Sequence, residues 1–96
     1  MYAVIRTYSG NGAKELFDLL EMRKTDVERV IRRVKGLVSY SLVRTDDGGF
    51  SVSVCNDKAG ADESMKVARE WIRQNASNTG VSRPSVSDGS VVIHIK

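Results

Sequence analysis

The sequence predicts a small α+β protein with the element order β-α-β-β-α-β, because segments of two kinds alternate along its 96 residues. Short segments rich in β-branched and aromatic residues are typical of strands. Two longer segments between them repeat apolar residues every three or four positions, as amphipathic helices do. Hydrophobic residues make up 41% and charged residues 28% of the chain. This composition indicates a folded protein, and the length fits a single domain over residues 1–96.

The first strand is predicted over residues 2–8, and the first helical segment follows over residues 13–35. Lys24 interrupts the apolar stripe of this long segment. Thr25 and Glu28 have the spacing of a capping box, in which each side chain bonds the backbone amide of the other. The segment is therefore either one bent helix or two helices that meet near Arg23 to Thr25.

The second and third strands are predicted over residues 37–45 and 49–56, joined by a turn at Asp46–Gly48. A three-residue loop with Gly48 in the left-handed conformation keeps apolar side chains together on one face. A two-residue turn at Asp47 and Gly48 mixes the two faces. We therefore expect the three-residue loop. The expected cross-strand pairs are Leu42 with Val52, Tyr40 with Val54 and Ser41 with Ser53.

The second helix is predicted from Lys58 or Asp62 to Ala76, and the last strand over residues 90–96. Glycine, proline and serine between them, in residues 78–89, are typical of a connecting loop. The last segment alternates regularly, and its apolar row consists of Val91, Ile93 and Ile95.

This order of elements defines the ferredoxin-like arrangement, a four-stranded antiparallel sheet with two helices on one face. The segments 36–44, 49–54 and 62–72, with the strand at the start of the chain, resemble the dimeric α+β barrel superfamily. The nearest resemblance is to its antibiotic biosynthesis monooxygenase-like group. It implies a homodimer in which two sheets pack face to face, and a small-ligand cleft between sheet and helices.

Members of the superfamily that the sequence resembles include cofactor-free oxygenases of aromatic polyketides and haem-degrading enzymes. The haem-degrading relatives use an Asn on the first strand, a Trp near the third strand and a His on the second helix. This chain has no Asn in residues 2–8, only Phe50 as an aromatic in the third strand, and no His in the second helix. The sequence therefore disfavours haem degradation.

Composition predicts a cytoplasmic protein without a tightly bound metal or cofactor. The net charge is +3, and no segment is typical of a signal peptide or a membrane span, so no membrane association is expected. Cys55 is the lone cysteine and His94 the lone histidine, which leaves no set of zinc ligands. A partial likeness of residues 49–54 to RNA-binding strands lacks the stacking aromatics, so no nucleic acid is expected.

Three side chains are candidates for chemistry. His94 is the one side chain that ordinarily titrates near neutral pH. Arg6 is a charged residue on the half-buried face of the first strand, and Tyr40 lies in the second strand. The residues predicted to line an aromatic-ligand cleft are Tyr8, Tyr40, Trp71 and Cys55. Each also has a plain structural interpretation as a core or surface residue.

The leading hypothesis is a homodimer that binds a small apolar or aromatic ligand and resembles cofactor-independent monooxygenases. A non-catalytic ligand-binding or regulatory module is the alternative, and a purely structural partner domain is a third. An enzyme should bring His94, Arg6 or a tyrosine together in a closed cleft. The sequence leaves open whether the protein is an enzyme, and which sheet face forms the dimer contact.

Overall fold

A four-stranded antiparallel sheet carries all the helices on one face, in a computed structural model that describes residues 1–96. The strand order is β2-β3-β1-β4. The elements in chain order are β1 (Tyr2–Ser9), α1 (Ala13–Met22), α2 (Lys24–Ile31), β2 (Leu37–Thr45), β3 (Gly48–Cys55), α3 (Lys58–Asn75) and β4 (Ser85–Ser90). The predicted ferredoxin-like fold is confirmed, with three helices in place of two because the first helical segment is divided.

Strand β1 lies in the middle of the sheet, and its side chains alternate between the two faces. Val4, Arg6 and Tyr8 are buried beneath the helices, whereas Ile5 and Thr7 are exposed on the opposite face. This alternation follows from the two-residue period of a strand. It places a charged side chain, Arg6, at the centre of the covered face.

The division of the first helical segment falls at Arg23, where the backbone leaves the helical region with φ −108° and ψ 27°. Of the two interpretations, the one with two helices is correct. The predicted cap is wrong, because Arg23 occupies the capping position of α2 without a side-chain cap, and Thr25 lies exposed inside the helix. Helix α2 also ends earlier than predicted, at Ile31, although the following Val34 is buried.

The register of the β2–β3 hairpin differs from the prediction. The turn consists of Asp46 and Asp47, and Thr45 pairs with Gly48. A Cβ at Gly48 would collide with the carbonyl oxygen of Tyr8, so this glycine is needed inside the strand, against β1. The observed cross-strand pairs are Leu42 with Ser51, Tyr40 with Ser53 and Ser41 with Val52.

This register separates the apolar residues that were expected to share one face. Tyr40 and Leu42 face the helices together with the small Ser51 and Ser53. The bulky residues of β3 lie on the opposite, helix-free face with Ile5 of β1. A bulge between Leu37 and Ser39 then restores the pairing at the start of β2.

Strand β4 is formed by residues 85–90, not by the predicted residues 90–96. The ladder between β1 and β4 ends at the pair of Tyr2 with Ser90, because β1 begins at Tyr2. One further bond joins the Val91 amide to the Met1 carbonyl. The apolar row beyond it has no strand to pair with, and Ile93 and Ile95 are 76% and 87% exposed.

The core divides into two clusters beneath the helices. The larger one joins Tyr8 of β1 to α1 and α3, and its buried members are Tyr8, Ala13, Leu16, Phe17, Leu20, Trp71 and Ala76. The smaller one consists of Val4, Val34, Cys55 and Ala61. Both clusters bury apolar surface against one face of the sheet, which leaves the other face without a cover.

Candidate ligand-binding site

A small apolar cavity lies between the sheet, α2 and α3. Its volume is about 20 Å³, which is space for roughly one water molecule. Arg6 is the one charged side chain of its wall. The lining residues are Arg6, Tyr8, Leu20, Val27, Val30, Ile31, Tyr40, Leu42, Ala68, Trp71 and Ile72.

Arg6 reaches the floor of this cavity from the middle of β1. Its neighbours across the sheet are Ser51 on β3 and Val86 on β4, neither of which carries a charge. The side chain is 8% exposed, and its Nε is buried without a hydrogen-bond partner. Its guanidinium carbon lies 5.7 Å from the centroid of the Tyr8 ring, within cation–π distance. Arg6 is therefore a buried cation without an acidic partner.

Two tyrosines flank Arg6 on the same face of the sheet. Burial raises the pKa of the Tyr8 phenol, and the nearby Arg6 cation opposes that shift. Burial likewise raises the pKa of Tyr40. Both hydroxyls therefore keep their protons at neutral pH and can donate hydrogen bonds. Tyr8 is further positioned by an edge-to-face contact with Phe17, at 6.3 Å between ring centroids.

Helix α2 forms the roof of the cavity through Val27, Val30 and Ile31. Its N-terminal end is held to α3 by Arg23, at the junction of the first two helices. The Arg23 guanidinium donates to Asp26 on α2 and to the Asn75 side chain on α3, and it also lies 5.5 Å from the Trp71 ring centroid. The C-terminal end of α2 has no comparable polar tie to α3 in the structure.

An open groove lies on the outer side of this roof, between α2 and β2. Its volume is about 580 Å³. Four side chains line both the groove and the small cavity, and they are Val27, Ile31, Tyr40 and Leu42. These four side chains therefore lie between the cavity and the groove.

The structure brings together four of the six residues singled out in the sequence. Arg6, Tyr8, Tyr40 and Trp71 all line the cavity, whereas Cys55 and His94 do not. Cys55 is fully buried in the smaller core cluster, where burial raises the pKa of its thiol.

His94 is partly exposed in the segment after β4 and lies outside every strand. Its predicted position in a terminal strand is wrong, because β1 offers no partner beyond Tyr2. The lone histidine is therefore not on the cavity wall.

Sequence reasoning missed the role of Arg23 and a group of arginines near β4. The spacing of Arg23 and Asp26 is that of a helical ion pair, but the contact with α3 depends on the tertiary structure. Arg69 and Arg73 are four residues apart, which puts them on one face of α3. That spacing was visible in the sequence.

Two further features of the structure concern metals and membranes. No group of three or more His, Cys, Asp and Glu side chains is placed so that it could hold a metal ion. None of the three helices combines the length and the apolar character needed to cross a membrane.

Comparison with solved structures shows the same fold in several proteins. The heme-degrader MhuD of Mycobacterium tuberculosis, solved with two hemes bound in its active site, superposes with a TM-score of 0.67 at 17% identity, over 100% of both chains. The monooxygenase ActVA-Orf6 of Streptomyces coelicolor, in complex with nanaomycin D, superposes with a TM-score of 0.59 at 16% identity, over 99% of this chain and 89% of the other. A dimeric ferredoxin-like protein from an uncultured marine organism superposes with a TM-score of 0.64 at 13% identity, over 99% of this chain and 95% of the other.

These matches show that the chain shares its ferredoxin-like fold with a heme-degrader, a monooxygenase and a protein described as dimeric and ferredoxin-like. Neither a protein-family model nor a curated protein matches the sequence. At such low identity the likeness concerns the fold alone, and any activity has to be argued from the side chains of this chain.

Proposed function

We propose that this protein binds a small molecule with an aromatic or apolar body and one acidic group, in the cavity between α2, α3 and the sheet. The proposal rests on the burial of Arg6, a cation whose Nε has no hydrogen-bond partner. A buried charge without a counter-charge is costly to maintain. A carboxylate, phenolate or enolate of a ligand would supply the missing charge, and the apolar wall would contact its body.

Ligand entry requires α2 to move. Pockets for small molecules usually measure about 300–1,000 Å³, far more than the volume of this cavity. The eight-residue helix α2 is joined to α1 at the single non-helical residue Arg23. Outward movement of Val27 and Ile31 would join the cavity to the groove beside β2. The resulting space would have the size of an ordinary ligand site.

The polar side chains of the cavity can all donate hydrogen bonds. The phenols of Tyr8 and Tyr40 remain protonated at neutral pH, and Arg6 adds a cation. Such a set stabilises an oxyanion on a ligand, as an oxygenation that proceeds through a substrate anion requires. It offers no general base, which favours a ligand that is already ionised when it binds.

The test compares 2-naphthoate with the neutral 2-naphthalenemethanol, by calorimetry on the wild-type protein and on Arg6→Met. Loss of a charge-assisted hydrogen bond is worth about 1.5–3 kcal/mol, so naphthoate should bind at least about 10-fold more weakly to Arg6→Met. The neutral probe should bind both proteins equally. Arg33→Met, which removes an exposed arginine beyond α2, is the control. Equal affinity of the two probes for the wild type would contradict the proposal.

A non-catalytic ligand-binding or regulatory role is the alternative, and the lack of a base on the cavity wall favours it. The two functions differ in turnover. Oxygen consumption with a hydroquinone or anthrone that binds the cavity would establish an oxygenase. Tight binding without oxygen consumption would favour the regulatory module.

We further propose that the protein is a homodimer joined through its helix-free sheet face. The side chains of this face form a continuous apolar patch, which consists of Ala3, Ile5, Val43, Phe50 and Val52 and continues into the buried Val54. Ile5 and Val43 are 41% and 38% exposed in the single chain. Uncovered apolar patches of this kind are typical of association surfaces, and one protein of the same fold is described as dimeric.

Light scattering at micromolar concentration tests the dimer. Ile5→Glu should give a monomer, because a carboxylate at the centre of a buried sheet-to-sheet contact would lose its hydration. Met22→Glu, which changes an exposed residue of α1, should leave the mass unchanged. A monomeric mass for the wild-type protein would refute the proposal.

A further inference from the structure

A second, open cleft lies on the far side of α3 from α2, between α3 and the segment that leads into β4. Its volume is about 700 Å³, which is the size of an ordinary small-molecule site. Four arginines contribute to its wall. Arg69 and Arg73 come from α3, and Arg83 comes from the segment before β4. Arg6 comes from β1, in the sheet that forms the floor of the cleft.

The charge of this cleft is entirely positive. No Asp or Glu is among its lining residues, and none of its four arginines forms an ion pair. Four of the five arginines elsewhere in the chain form an ion pair, and the exposed Arg33 is the exception. Those paired with a carboxylate are Arg23, Arg29, Arg32 and Arg44. The nearest acid along β4, Asp88, accepts a hydrogen bond from the Tyr2 hydroxyl instead.

Without a bound anion, the positions of these arginines are electrostatically unfavourable. Arg69 and Arg73 stand four residues apart on one helix face, a spacing at which like charges repel. The helix dipole accounts for a cation at Arg73, in the last turn, but not for Arg69 or for Arg83 on the facing segment. The buried Nε of Arg6 lacks any partner at the floor of the same cleft.

We infer that this cleft binds a small molecule with two or more negative charges, carried by phosphoryl or carboxylate groups. Guanidinium groups match the oxygens of both, and they do so with two parallel hydrogen bonds. Arginines that converge from three elements suit a multivalent anion better than a single carboxylate. This site is additional to the apolar cavity, with which it shares Arg6, Tyr8 and Ile72.

The test is titration of the full chain with pyrophosphate and with citrate, at constant ionic strength, by calorimetry. The double variant Arg69→Gln/Arg73→Gln should weaken binding at least about 10-fold, because two charge-assisted contacts are removed. The control Arg32→Gln/Arg33→Gln removes the same charge from the chain beyond α2 and should change affinity less than about twofold. The probe that binds more tightly identifies the phosphoryl or carboxylate class.

Three outcomes would overturn the inference. One is that neither anion binds the wild-type protein at millimolar concentration. Another is an equal loss in the two double variants, which would indicate attraction by net charge alone. The third is tighter binding of a single-stranded oligonucleotide through Arg69 and Arg73, which would assign the cleft to nucleic acid. Neither arginine lines the apolar cavity, so these outcomes are separate from the naphthoate test.

Discussion

Replacing Ile31 by Ala tests whether α2 is the roof of a real cavity. Ile31 is the last residue of the helix, is 4% exposed and lines the cavity wall. The change removes three carbon atoms, which at about 0.8 kcal/mol for each buried CH₂ amounts to roughly 2.4 kcal/mol. Measured costs of such changes range from about 2 to 5 kcal/mol. The adjoining cavity is already a gap in the packing, so we expect a value near the lower end of that range.

The expected loss is therefore about 2.5 kcal/mol of unfolding free energy. It corresponds to a fall in melting temperature of about 10–20 °C for a domain of this size. Chemical and thermal unfolding are followed by circular dichroism, at one fixed protomer concentration because dimerisation would add to stability.

Met22→Ala is the matched control, since Met22 is 77% exposed near the end of the preceding helix. It should change stability by less than about 0.5 kcal/mol. If Ile31→Ala lost less than about 1 kcal/mol, the wall would already be loose or open to water, and α2 would not be a packed roof.

Three other predictions follow from the packing and the pKa shifts. Gly49→Ala should destabilise the fold severely, because the added Cβ would collide with the Phe17 ring and the Val43 carbonyl, whereas Gly89→Ala meets open space and should be tolerated in thermal unfolding. Burial raises the pKa of Tyr40 in the folded state, so the stability that this residue contributes is present below its unfolded-state pKa and is lost as pH rises through its folded-state pKa. The variant Tyr40→Phe should therefore show a smaller decline of unfolding free energy above about pH 10. An unchanged slope of unfolding free energy against pH would contradict the burial argument. The Cys55 thiol, buried and with a raised pKa, should react with a thiol reagent only as fast as the chain opens, so labelling at the free-thiol rate in native buffer would show that it is accessible.

The hairpin shows why local sequence rules were insufficient for the register of the sheet. Asp46, Asp47, Gly48 and Gly49 offer several turns of nearly equal quality. Contacts outside the hairpin decided between them. Gly48 must lie against the Tyr8 carbonyl, and Gly49 against the Phe17 ring, so both glycines belong to β3 and the turn moves to the two aspartates.

The basic cleft and the cavity differ in how far they were predictable. Alternation along β1 was enough to place Arg6 on the same side as Val4 and Tyr8. The convergence of Arg83 with Arg69 could not be foreseen, because the segment before β4 has no periodicity that fixes its path. Only the packing of that segment beside α3 forms the cleft.

The sequence by itself determined the fold class, the order of the elements and the side of β1 that carries Arg6, because these depend on local periodicity and turn chemistry. The tertiary structure decided which segment completes the sheet. Residues 91–96 have the stronger strand pattern, yet residues 85–90 form β4. A strand requires a neighbour for its backbone hydrogen bonds, and β1, which begins at Tyr2, offers one only as far as Ser90.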